Sequence, residues 1–203
     1  MRTQRSTLFT VFLAVAATGL PADSSARPVG SAVLVLLQHD AGVPSDVAVR
    51  AQAEVVRLYG LIGVEVAWVT EMPEPGRRVR VVSLVTWEPA DHAIPESVLG
   101  LTPAGPHSRG TMAYVFWRRV ERSSHKFTTS LPNLLAVAIA HELGHMLLPA
   151  GSHATRGLME AAWHSGYFRS ASAGLLHFST ETATLIRRGL MDEDTVATMC
   201  PPD

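Results

Sequence analysis

The chain has 203 residues, with 17 basic and 18 acidic side chains and a formal charge of −1. That balance, without a basic stripe interleaved with aromatics, excludes a nucleic-acid binder of the electrostatic kind. A single cysteine, Cys200, excludes an intrachain disulfide framework.

Residues 1–26 read as a secretory signal peptide. Arg2 and Arg5 make a basic start, residues 8–20 an apolar run, and Ser24, Ser25 and Ala26 a small-residue cleavage site. The run is shorter than the ~20 residues a membrane-spanning helix needs. Residues 27–203 are then expected as one exported domain, secreted, periplasmic or in the cell envelope, with no stable membrane span once the signal is removed. It divides into an N-terminal part, 27–148, and a C-terminal part, 149–203.

Residues 31–37 form a continuous apolar run, the pattern of a strand buried on both faces. Helical spacing follows over 45–59, with Ser45 as cap and Gly60 or Gly63 as the stop. Residues 64–69 alternate as a strand, 72–76 make a loop, and 78–87 is a valine-rich strand. A strand–helix–strand opening implies a parallel pair. The long connection 89–110 is expected to shape a cleft, with a brief edge strand near 97–101. The last strand is expected over 111–117, with 118–130 a linker. Trp68, Trp87 and Trp117 read as core, and His92, His107 and His125 as surface-loop histidines. A second late helix is expected over 179–188.

Between linker and C-terminal part lies an apolar helix, capped by Ser130 or Thr129, with Pro132 tolerated in its first turn. Pro149 should end it near Leu147. A helix apolar all round is a buried one. This one nevertheless carries His141, Glu142 and His145, and buried polar groups need partners. Histidines four apart lie on one helical face and can reach one tetrahedral zinc ion. Glu142, next to the first histidine, points aside and suits a general base. For the third ligand the pattern favours His153, which follows the turn-forming Gly151. Glu160, His164, His177 and Glu181 compete with it, and Glu181 stands on the predicted late helix.

These residues, His141, Glu142, His145, His153 and the Gly157-Leu158-Met159 run, resemble the metzincin clan of zinc peptidases, whose signature is H-E-x-x-H-x-x-G-x-x-H and a methionine turn. The short gap to Met159 resembles the matrix metalloprotease arrangement. Two departures stand out: Leu148 occupies the signature's glycine position, and His153 follows His145 by eight residues rather than six, as a two-residue insertion would produce. The resemblance implies an α+β zincin-like fold: a twisted mixed sheet, two backing helices, the motif on an active-site helix and a small C-terminal subdomain. It implies Zn2+ as cofactor, Met159 as an apolar base under the imidazoles, and peptide or protein as substrate.

The expected function is therefore secreted zinc-dependent peptide-bond hydrolysis by metal-activated water, with Glu142 as general base. Three rivals remain: a gluzincin-type peptidase with Glu181 as third ligand, a closed structural zinc module completed by His164 or Glu160, and an envelope protein on a degenerate peptidase fold. Trp163 is expected either to line a specificity pocket or to pack on the C-terminal helix.

Overall fold

Val33–His39 forms the central strand, β1, in the computed structural model, which describes residues 32–39, 42–73, 78–87, 94–103 and 110–199. The expected signal segment, Cys200, His92 and His107 lie outside the described residues. Parallel neighbours flank β1 on both sides, β2 (Val66–Val69) and β3 (Val79–Val85), which is why its apolar run does not alternate with polar residues. Val33 and Val35 join the main core, whereas Leu34 and Leu36 form a smaller cluster with Val79 on the other face. β5 (Met112–Phe116) runs parallel to β3, and β4 (Gly100–Leu101) pairs antiparallel with β5. The sheet order is β2-β1-β3-β5-β4, so β4 is an edge strand.

Two helices form the layer over this sheet. The first, α1 (Ser45–Gly60), buries Val47, Ala51, Val55 and Leu58 at helical spacing. Ser45 is its first residue, not its cap: Pro44 holds the cap position and no side chain caps the end. The second, α3 (Leu131–Leu147), is buried along almost its whole length and ends where Pro149 requires. Ser130 holds its cap position without a side-chain bond; the Ser130 N–H donates instead to Ser172 Oγ at 3.2 Å. The phenol of Tyr59 reaches across from α1 and donates to the Ala140 carbonyl at 3.0 Å.

Several expectations are corrected. Trp117 does not end a strand but begins a helix, α2 (Trp117–Phe127), which occupies most of the expected linker. Its indole is buried as expected, and α2 packs on α3. His125 is accordingly an exposed helical residue rather than a loop histidine. Trp87 is 51% exposed and joins Tyr114 and Phe116 in an aromatic cluster instead of entering the core. The C-terminal part holds two helices, α4 (Ser165–Ser172) and α5 (Thr180–Met199), the latter far longer than expected. The 8 residues of α4 hold too few apolar positions to announce it by periodicity, whereas α5 begins where the late helix was expected. Arg80, buried in β3, donates to both Glu193 carboxylate oxygens at 3.0 and 2.8 Å, tying α5 to the sheet. Among the described residues no helix is long and apolar enough to cross a membrane.

Candidate metal centre

The last turns of α3 place two histidines on one face, with their Nε2 atoms 3.1 Å apart. Two nitrogens bound at 2.0 to 2.1 Å around a tetrahedral ion stand about 3.3 Å from each other. That spacing fits one cation. The ligand atoms of His141, His145 and His153 all lie within 4.8 Å of one another. Among the described residues these three form the metal-suited cluster, and Glu160, His164, His177 and Glu181 stand outside it. His164 faces Glu160 instead, at 3.3 Å, and His177 pairs with the Leu175 carbonyl at 2.9 Å. Glu181 lines a neighbouring pocket that His153 also lines, without joining the cluster.

How the chain reaches His153 explains the altered motif spacing. Leu148 leaves α3 in an extended conformation, φ −98° and ψ 163°, and Pro149 follows. The reversal comes later, in a turn closed by the Ser152 N–H on the Pro149 carbonyl at 3.2 Å. Gly151 carries its positive φ, 72°, where a side chain would be strained. The extra residues thus move the glycine turn beyond the proline and still return a histidine to the cluster.

Next to the histidines, His141 Nδ1 lies 2.9 Å from the Leu158 carbonyl, which can only accept. In the neutral ring Nδ1 therefore carries the proton, and the Nε2 lone pair faces the cluster. Tyr167 of α4 donates to the same carbonyl at 2.9 Å. The carbonyl belongs to the turn at Met159, which the Glu160 N–H closes on Gly157 at 3.0 Å. Met159 is buried against α3 at Gly144, where an added Cβ would meet its Sδ at 2.5 Å.

Glu142 turns away from the histidine face toward β4. Its Oε2 accepts from Thr102 Oγ1 at 2.8 Å, and Gly100 leaves room for the rest of the carboxylate. Burial pushes this carboxyl up to about 7, against the opposing Thr102 hydrogen bond. Burial lowers His141 to about 4; its bond to Leu158 opposes this and the His153 charge adds to it. Burial lowers His145 to about 3, with the charges of His141 and His153 adding to the shift. Both are thus neutral donors near neutral pH, as metal binding requires.

The cluster opens into a cleft of about 620 Å³. One rim is residues 97–102, including β4; the other is Ala161, Ala162 and Trp163. Trp163 packs on α4, not on the C-terminal helix: it stacks on Tyr167 at 4.6 Å and meets the His141 ring edge-on at 5.5 Å. Sequence reasoning missed Thr102, Tyr167 and Arg119. The Arg119 guanidinium, buried on α2, donates to the carbonyls of Pro95 and Val98 at 2.7 and 2.9 Å, and to Ile94 at 3.4 Å. It anchors the segment that leads into β4. An arginine in a polar helix gives no sign of such a role; only the 88–110 cleft assignment hinted at Thr102.

No family model matches the chain, and no curated protein matches its sequence. Among solved structures it is similar to archaemetzincin (amzA) from Methanopyrus kandleri, with a TM-score of 0.51 at 18% identity, over 81% of this chain and 98% of that one. At that identity the likeness is one of fold: this chain folds like archaemetzincin, with three histidines gathered into one potential metal site.

Proposed function

We propose that the chain is an exported zinc-dependent endopeptidase of metzincin type. One observation carries this reading: a buried carboxyl, Glu142, stands beside three clustered imidazoles at the foot of an open cleft. The fold likeness to archaemetzincin supports it, as does the motif resemblance.

His141, His145 and His153 would hold the ion. Bound zinc supplies a Lewis acid that polarises an amide carbonyl and makes water more acidic. Glu142 is the proton carrier. With Thr102 donating to Oε2, Oε1 is the oxygen that takes the proton of the attacking water and returns it to the leaving amine. Leu158 and Tyr167 orient the His141 ring. Antiparallel pairing of Gly100 with Val115 alternates with hydrogen-bonded pairs, which leaves the Gly100 N–H and carbonyl on the open edge of β4. An extended peptide pairs there by strand addition and meets Trp163 on its other side.

The test compares wild type with Glu142→Gln for zinc content and for hydrolysis of casein and peptides. Both should hold one zinc per chain, and the variant should lose at least ~10² to 10⁴-fold in rate. Equal rates would overturn the mechanism. A wild type inactive across a broad peptide library would make the chain a non-catalytic zinc module. Zinc lost in Glu181→Ala but kept in His153→Ala would transfer the third ligand to Glu181. Export is tested by the N-terminus of the mature protein, expected near Arg27.

A further inference from the structure

A second pocket, of about 510 Å³, adjoins the cleft through two shared residues, Ser97 and Trp163. Its floor is aromatic. Phe127 and Phe168 stack at 4.0 Å with their planes 8° apart, and Trp163 meets Phe168 nearly at right angles. Its wall is the side of α2 that carries Arg122, His125 and Lys126. Arg122 and Lys126 are four residues apart and so neighbours on the helix surface. The Lys126 ammonium lies over the Phe127 ring, 5.3 Å from its centroid. Glu96 is the one carboxylate among the described lining residues, and the Lys126 ammonium is the cation set directly over the aromatic floor.

Arg119 belongs to the same wall but is committed to the carbonyls of Ile94, Pro95 and Val98. Its effect is geometric. The segment it anchors is at once the rim of this pocket and the lead-in to β4, so pocket and peptide-binding edge keep a fixed relation. Trp163 stands between the pocket and His141, so the pocket mouth is one indole away from the histidine cluster.

A cationic wall over an aromatic floor suits a carboxylate on a short apolar stem. A solvated basic helix face would explain the charges alone, but not the aromatic floor continuous with the cleft. We propose that this pocket receives a glutamate or aspartate side chain flanking the bond to be cut, which makes acidic polypeptides the preferred substrates. The proposal rests on the peptidase reading above.

The test uses the zinc-loaded mature chain and peptide sets that differ only by Glu, Gln or Lys beside the scissile bond, each made with a free or an amidated C-terminus. Glu should exceed Gln by roughly tenfold in kcat/KM, as a charge-assisted contact in a half-open pocket supports. Lys126→Ala should erase most of that ratio, and Lys126→Glu should turn it toward Lys. Arg118→Glu, on the α2 residue paired with Glu121, should leave the ratio as in wild type. A preference that follows the free C-terminus, not the side chain, would overturn the side-chain assignment. Hydrolysis without Glu/Gln discrimination, or discrimination unmoved by Lys126→Glu, would sink the pocket while leaving the peptidase standing. Affinity measured by calorimetry on zinc-loaded Glu142→Gln separates the two readings further. Tenfold tighter binding of the Glu peptide, lost in the added Lys126→Glu change, supports the pocket even where wild type cuts nothing; equal binding there overturns it.

Discussion

Gly100→Ala tests whether β4 sets the position of the base. A Cβ on Gly100 would stand 2.6 Å from Glu142 Cγ, 2.8 Å from Cδ and 2.7 Å from Oε1. Carbon contacts prefer about 3.5 to 4.0 Å, so the carboxylate must retreat by about 1 Å. Gly100 does not have positive φ, so alanine adds no backbone strain of the left-handed kind. The group that yields is the end of a side chain, and swinging it aside breaks the Thr102 bond. The fold should lose only about 1 kcal/mol for that bond. A displacement of about 1 Å at reacting groups costs on the order of 10²-fold in rate. Zinc content should be unchanged, because neither Gly100 nor Glu142 belongs to the histidine cluster. The assay pairs zinc stoichiometry and a urea midpoint with kcat on one peptide. A variant within threefold of wild-type kcat would refute the claim that Gly100 is there to house the base.

Further perturbations address the supports of the site. Tyr167→Phe removes the phenol that donates to Leu158, the carbonyl holding His141 Nδ1; zinc affinity, measured by chelator competition, should weaken about 10-fold or somewhat more, and an unchanged value would show that the carbonyl needs no second donor. Arg119→Met removes the guanidinium from the Ile94 and Val98 carbonyls and leaves Pro95 with only the Val98 N–H, and should cost about 2 to 4 kcal/mol in urea unfolding together with a raised KM; a loss under about 1 kcal/mol would mean the segment holds itself. For Glu193, burial pushes the carboxyl up, but the charges and hydrogen bonds of Arg80 and Arg78 outweigh it and leave the pKa below its usual value. The unfolded chain then binds the proton more readily, so this contribution is complete above the unfolded carboxylate value of about 4.3 and fades as pH falls through the lower folded value. Glu193→Gln should be less stable at pH 7 and show a shallower loss of stability below pH 5 by thermal unfolding; parallel curves would remove the pair as a source of acid sensitivity.

The sheet and its two covering helices were legible because their signals are local. β1 is an apolar run, α1 repeats apolar residues at helical spacing, and Pro149 stops α3 by chemistry that depends on no distant residue. The cluster of His141, His145 and His153 was legible for the same reason, since helix periodicity and a glycine turn bring nearby residues together. What surrounds the cluster was not. α2 hid because its first residue, Trp117, continues the apolar pattern of β5 and its remainder is polar; burial of Val120 and of the Arg119 guanidinium comes only from the elements that meet it. Trp87 reads as core by composition, yet it lies at the surface beside Tyr114 and Phe116, which no nearest-neighbour pattern reveals. Thr102 and Gly100 meet Glu142 across about forty residues, and Tyr167 meets His141 through a carbonyl on a third segment. The sequence by itself therefore determined that His141 and His145 share a helix face with Glu142 beside them, and favoured His153 as the third imidazole, because local geometry places them. Only the tertiary structure decided which oxygen of Glu142 accepts from Thr102, which ring nitrogen faces the cluster, and how the cleft is walled, because those outcomes depend on which distant groups arrive at hydrogen-bond distance once the chain has packed.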